Sequence, residues 1–129
     1  MGVAVTEAGV ERVTLFAPLA PNINHRETVF GGSVSSLALL TAWALIYLRL
    51  QAEGFDSRLV VQRNTIHYAR PIAGDFTATA TTPAAWSSFV RTLRRKNRAR
   101  IAVTVELRSE ENSVGTLEGD FVALESKRA

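Results

Sequence analysis

Residues 24–51 read NHRETVFGGSVSSLALLTAWALIYLRLQ, and this stretch decides how the rest of the chain is arranged. A polar loop ends in the pair Gly31-Gly32. An apolar run from Val34 to Leu48 then follows, interrupted only by Ser35, Ser36 and Thr41 and closed by Arg49. From Gly32 to about Gln51 the pattern is helical and apolar on almost every face, so most of that helix must be covered by other parts of the protein. The 15-residue apolar run is shorter than the ~20 residues of a bilayer span, which favours a buried core helix. Gly54, within AEGFDS, stands where a left-handed cap would end it.

The flanking sequence reads mostly as strand. Residues 10–16 (VERVTLF) alternate, and APLAPNINHRET is a Pro/Asn-rich loop. RLVVQRNTIHYARPI (58–72) is rich in β-branched and aromatic residues. AGDFTATATT (73–82) alternates Phe76, Ala78 and Ala80 with threonines. Thr82-Pro83 opens a short helix with Trp86, Phe89, Val90 and Leu93 on one face. IAVTVEL (101–107) alternates most strictly, and VGTLEGDFVAL (114–124) is the last strand. Successive strands on short turns imply an α+β fold: one long helix wrapped by an antiparallel sheet of about five strands, with the short helix before the fourth. One such layer covers a helix that is apolar all round on one side only, so a homodimer is expected.

At 129 residues the chain is expected to form a single domain, 1–129. It contains no cysteine, which removes disulfides, thiol nucleophiles and zinc–thiolate sites and suits a cytoplasmic location. With only His25 and His67, a protein-held transition metal is not expected, and no cofactor is implied. The N-terminal MGVAVTEAGVERV lacks the basic and apolar regions of a secretory signal. The net charge of +3 hides an uneven distribution. RTLRRKNRAR (91–100) carries six basic residues and no acid, leaving 9 basic against 12 acidic residues elsewhere.

The pattern Asn24-x-x-x-Thr28-x-Phe30-Gly31-Gly32, the apolar helix, and then Tyr68-Ala-Arg-Pro71-x-x-Gly74-Asp75 resemble the hotdog-fold thioesterase superfamily. APLAPNIN…TVFGGSVSSLALLTAWAL and RRKNRARI resemble, more narrowly, the thioesterase-like domain found fused to some bacterial acetyltransferases. The resemblance implies a dimer, with a tetramer left open, acting on acyl-CoA or acyl-carrier-protein thioesters in the cytoplasm, without membrane or cofactor.

It also implies roles. The Gly32 amide would polarise the thioester carbonyl, Phe30 and Gly31 would border the substrate, and Asn24 would hold the attacking water. Free N–H groups and the positive helix end do favour a developing oxyanion. The glycines alone would equally serve a tight turn, and Asn24 could cap its own loop. The chain departs from the family in two places: Phe30 replaces a frequent His, and Leu39 replaces a frequent carboxylate. No acid lies between Glu27 and Glu53, so the helix offers no general base.

His25 and Glu27 are the nearest titratable groups in the loop. Ser33 could bind substrate or cap the helix. Ser36 and Thr41 could hold a water, while His67 and Asp75 read as structural. Arg94, Arg95, Lys96, Arg98 and Arg100 could grip the phosphates of coenzyme A, or form a solvated charged surface. Nucleic acid is disfavoured, because no aromatic residues interleave with those charges. A non-catalytic acyl-thioester-binding module is the alternative to an enzyme.

Overall fold

The strict alternation of residues 101–107 is what the sheet is built on. In the computed structural model, which describes residues 2–18 and 31–125, Ile101, Val103, Val105 and Leu107 are all buried while Ala102, Thr104 and Glu106 face solvent. The elements in order are β1 (Ala4–Ala8), β2 (Arg12–Ala17), α1 (Gly31–Ala52), β3 (Ser57–Tyr68), β4 (Phe76–Thr81), α2 (Trp86–Lys96), β5 (Arg98–Ser109) and β6 (Asn112–Glu125). They form one antiparallel six-stranded sheet in the order β1-β2-β4-β5-β6-β3. The sheet therefore has six strands rather than about five. The addition is β1, whose residues are exposed on both faces and so carry no periodic signal.

α1 lies against one face of this sheet. Val34, Leu37, Ala38, Ala42, Leu45, Ile46 and Leu50 pack with Leu15, Phe76, Val105, Leu117 and Phe121 in one core. Gly31 and Gly32 are the first two residues of the helix, which begins one residue before the expected Gly32. By length and composition Gly32–Ala52 would suffice to cross a membrane, at 21 residues and mean hydropathy 1.5. It exceeds the 15-residue apolar run because the residues flanking that run, including Arg49, are helical too. Its packing on the sheet gives its apolar residues their partners here.

Gly54 (φ +84°) turns the chain out of α1, with the Phe55 N–H donating to the Leu50 carbonyl oxygen at 2.9 Å. α1 and β3 consequently run in opposite directions. The α1 N-terminus thus shares an end of the molecule with Tyr68, and the α1 C-terminus shares the other with Ser57.

α2 begins at Trp86 rather than at Pro83, since residues 83–85 form a turn in which the Trp86 N–H donates to the Pro83 carbonyl oxygen at 3.1 Å. Its buried face is Trp86, Phe89, Val90 and Leu93. Asn97, at φ 57°, ends it in the left-handed conformation.

Candidate functional site

The N-terminal turn of α1 is Gly31, Gly32, Ser33 and Val34. Backbone N–H groups in a first helical turn lack intrahelical acceptors and sit at the positive end of the helix dipole. No acidic side chain occupies this turn, so nothing on the helix itself cancels that field. Gly32 is exposed and Ser33 half-buried. A glycine inside a helix costs about 0.5–1 kcal/mol relative to alanine, so two in succession need a reason. Glycine places no side chain beside these first-turn amides.

Asn24, His25, Glu27 and Phe30 lie outside the described residues. Leu39, which stands where the resemblance implies a carboxylate, is half-buried and packs against the core. Thr41 is fully buried, and its hydroxyl donates to the Leu37 carbonyl oxygen at 2.7 Å, so that donor is committed within the helix. Ser36 is exposed. His67 is exposed on the sheet face turned away from α1, opposite Thr116. Asp75 accepts, through its backbone oxygen, a 2.8 Å hydrogen bond from Ser109 Oγ.

From Gly32 a stripe of exposed positions runs down the helix: Ser36, Leu40, Trp43 and Tyr47. Trp43 and Tyr47 stack with centroids 4.8 Å apart and planes at 10°, and Gln51 Nε2 donates to the Tyr47 hydroxyl at 2.7 Å. Beside the stripe, β3 ends the sheet with Val60, Val61 and Tyr68 exposed at 44%, 42% and 49%. A 12-residue edge strand with apolar residues on show is a template for pairing with another chain.

The basic residues divide. Arg94 stacks over Phe55 at 4.9 Å and lies 3.9 Å from Glu53. Arg95 is exposed. Lys96, Arg98 and Arg100 line an open cleft of about 480 Å³ with Gln62, Thr92 and Val122. None of these three cations has an ion-pair or hydrogen-bond partner among the described residues. Arg100 pairs in register with Val122, and Arg98 with Leu124, at the end of the sheet where α1 finishes.

The site residues expected from sequence are therefore not all at one place. Gly32 and Ser33 are at one end of α1. Arg94, Arg95, Lys96 and Arg98 are at the other, beyond Arg49, which is roughly 25 Å from Gly32 along the helix axis. A cavity of about 620 Å³ also lies at that far end, between Glu53, Phe55, Arg94, Asn97 and Glu125. Its carboxylates are already engaged: Trp86 Nε1 donates to Glu53 at 2.6 Å and Ser57 Oγ to Glu125 at 2.8 Å. Sequence reasoning missed the aromatic pair Trp43–Tyr47, although their i, i+4 spacing on an all-apolar helix was the signal.

A single long helix laid on an antiparallel sheet, with glycines in its first turn, is the architecture of hotdog-fold thioesterase-like proteins. Residues 1–125 match the model of the family described as "Putative thioesterase (yiiD_Cterm)", and the chain belongs to that family. Solved structures agree. A Chlorobaculum tepidum protein of unknown function is 27% identical with a TM-score of 0.90, covering 98% of this chain and 84% of that one. A protein from Shewanella oneidensis described as a putative thioesterase is 26% identical with a TM-score of 0.87, over 96% and 85% of the two chains. A Pseudomonas aeruginosa protein shares the fold at 22% identity and a TM-score of 0.84, over 97% and 84%.

Proposed function

We infer that this protein hydrolyses acyl thioesters, carried on coenzyme A or on an acyl carrier protein. The observation that supports this most is the α1 N-terminus: adjacent glycines in a first turn whose amides lack intrahelical acceptors, with no acidic side chain in that turn. The thioester carbonyl oxygen would accept a hydrogen bond from the Gly32 N–H, with Gly31 leaving room for the acyl group and Ser33 beside it. As water adds to the carbonyl carbon, negative charge moves onto that oxygen, where the helix end stabilises it. The carbon–sulfur bond then breaks, releasing a thiol and a carboxylic acid.

Asn24 would orient the water by hydrogen bonding. An amide cannot take the proton, so His25 is the adjacent group with a suitable ordinary pKa. Phe30 would border the acyl group, and the stripe through Leu40 and Trp43 offers it an apolar path.

The working unit would be a homodimer. Its protomers would join through β3 and the neighbouring α1 stripe, burying Val61, Trp43 and Tyr68 against a second copy. A two-fold axis that joins two edge strands necessarily makes them antiparallel.

Leu39 and the acid-free first turn of α1 also suit a protein that holds acyl thioesters without cleaving them. Incubation with acyl-CoA and acyl-carrier substrates of graded chain length, with detection of the free thiol, separates the two. Release above the uncatalysed rate supports the hydrolase. Saturable binding with no release supports the binding module and contradicts it.

A further inference from the structure

We propose that Lys96, Arg98 and Arg100, with Thr92 and Gln62, form a binding cleft for a phosphorylated nucleotide, one that a ligand held at the same chain's Gly32 cannot fill. Three cations converge on one concave surface without a carboxylate partner among the described residues. Like charges held together repel one another, and the arrangement becomes favourable when an anion sits between them. Two of the three are guanidinium groups, whose forks match phosphate oxygens, while Thr92 and Gln62 add uncharged hydrogen-bonding groups at the rim.

The cleft is also rigidly placed. Arg98 and Arg100 stand on the stretch of β5 that pairs with β6, and Lys96 ends α2, where the Asn97 N–H donates to the Leu93 carbonyl oxygen at 2.9 Å.

Distance separates this cleft from the thioester position. Arg49 marks the far end of α1, because its guanidinium bonds Val10 and Thr82 there, and it is roughly 25 Å from Gly32. The pantetheine arm of coenzyme A is about as long as four to five residues of extended chain, roughly 13–18 Å. Moreover, Arg98 and Arg100 leave the sheet face opposite to α1, since the intervening Ala99 and Ile101 are the core-facing residues.

A phosphate in the cleft thus comes from one of two sources. It belongs to a substrate whose carbonyl lies at the partner subunit's α1 N-terminus, which an antiparallel β3–β3 junction would bring towards this end of the sheet. Or it belongs to a free nucleotide. Only the choice between these sources rests on the thioesterase reading.

Calorimetric titration with 3′,5′-ADP, which carries nucleotide phosphates without the acyl arm, tests the cleft. Saturable binding is expected, weakened about tenfold or more by K96A/R98A/R100A or by the single change Arg100→Gln, and unchanged by Arg95→Ala. No binding to the unaltered protein, or an equal loss with Arg95→Ala, overturns the proposal.

Hybrid dimers of Gly32→Pro with K96A/R98A/R100A identify the source. If the phosphate belongs to the partner's substrate, the hybrid retains one intact site and recovers about half the normal turnover, whereas each parent dimer is impaired. If it belongs to a free nucleotide, the K96A/R98A/R100A parent keeps its turnover in nucleotide-free assays, and 3′,5′-ADP alters the turnover of the unaltered protein without competing with substrate. A K96A/R98A/R100A parent with normal turnover, together with an unaltered protein indifferent to 3′,5′-ADP, removes any role for the cleft. An unaltered protein that hydrolyses no thioester refutes the thioesterase reading and leaves the 3′,5′-ADP result standing.

Discussion

The guanidinium of Arg49 lies 4.9 Å from the centroid of the Trp86 ring and from that position donates to the Val10 carbonyl oxygen at 2.6 Å and to Thr82 Oγ1 at 3.0 Å. One side chain at the C-terminal end of α1 therefore ties together the turn before β2, the end of β4 and the start of α2. Its positive charge also complements the negative end of the helix. Arg49→Ala leaves the Val10 oxygen without this donor and exposes the face of Trp86, and is expected to cost about 2 kcal/mol. Arg49→Lys should recover less than half, because an ammonium cannot reach both oxygens while stacking. Urea denaturation of the three proteins measures this.

The β5–β6 turn is strained. Glu110 and Glu111 have φ of 51° and 67°, between the paired residues Ser109 and Asn112. This is the two-residue hairpin geometry that favours Asn-Gly. The double change E110N/E111G is expected to raise stability by about 1 kcal/mol, read as a higher melting temperature with unchanged thioester turnover.

Thr41 is buried and its hydroxyl is committed to Leu37. Thr41→Val should therefore shift stability by less than about 1 kcal/mol and leave turnover intact, since such back-bonding contributes little to a helix. A large loss of turnover without a loss of stability would give Thr41 the water-holding role that its hydrogen bond argues against.

Trp43→Arg places a cation on the stacked aromatic surface beside β3. Light scattering should show a dimer for the unaltered protein and a dissociation constant at least about tenfold higher for the variant. An unaltered protein that is monomeric, or a variant dimer of equal strength, contradicts the proposed interface.

What the sequence disclosed follows from which signals are local. Ile101 to Leu107 alternate because one face of β5 is core and the other is solvent. Val34 to Leu48 are apolar because Leu37, Ala38, Ala42, Leu45 and Ile46 enter the core, while Leu40, Trp43 and Tyr47 form an exposed apolar stripe. Both patterns are legible from residue type alone. β1 was not, because Ala4–Ala8 pack on neither face and nothing constrains their polarity.

The basic run at 91–100 was legible as composition and misleading as geometry. Arg91, Arg94, Arg95 and Lys96 are on α2 while Arg98 and Arg100 are on β5, and Arg94 is drawn to Glu53 and Phe55. That the run lies at the opposite end of α1 from Gly32 depends on the antiparallel course of α1 and β3, which no local pattern encodes. The Gly31-Gly32 pair was legible as a helix start with Gly32 helical; that Gly31 is helical too was not.

In the proposed reaction the Gly32 amide, at the positive end of α1, stabilises the charge that develops on a thioester carbonyl oxygen. Gly32→Pro removes that N–H in a first helical turn, which tolerates proline, and adds ring bulk there, whereas Gly32→Ala adds a methyl group and keeps the N–H. The most direct measurement is kcat of the two variants on the best thioester substrate, with the fold of each checked by circular dichroism. A fall of about 10²–10³-fold for Gly32→Pro, with Gly32→Ala retaining far more activity, is the predicted result. A folded Gly32→Pro protein whose kcat stays within about threefold of the unaltered protein would contradict it.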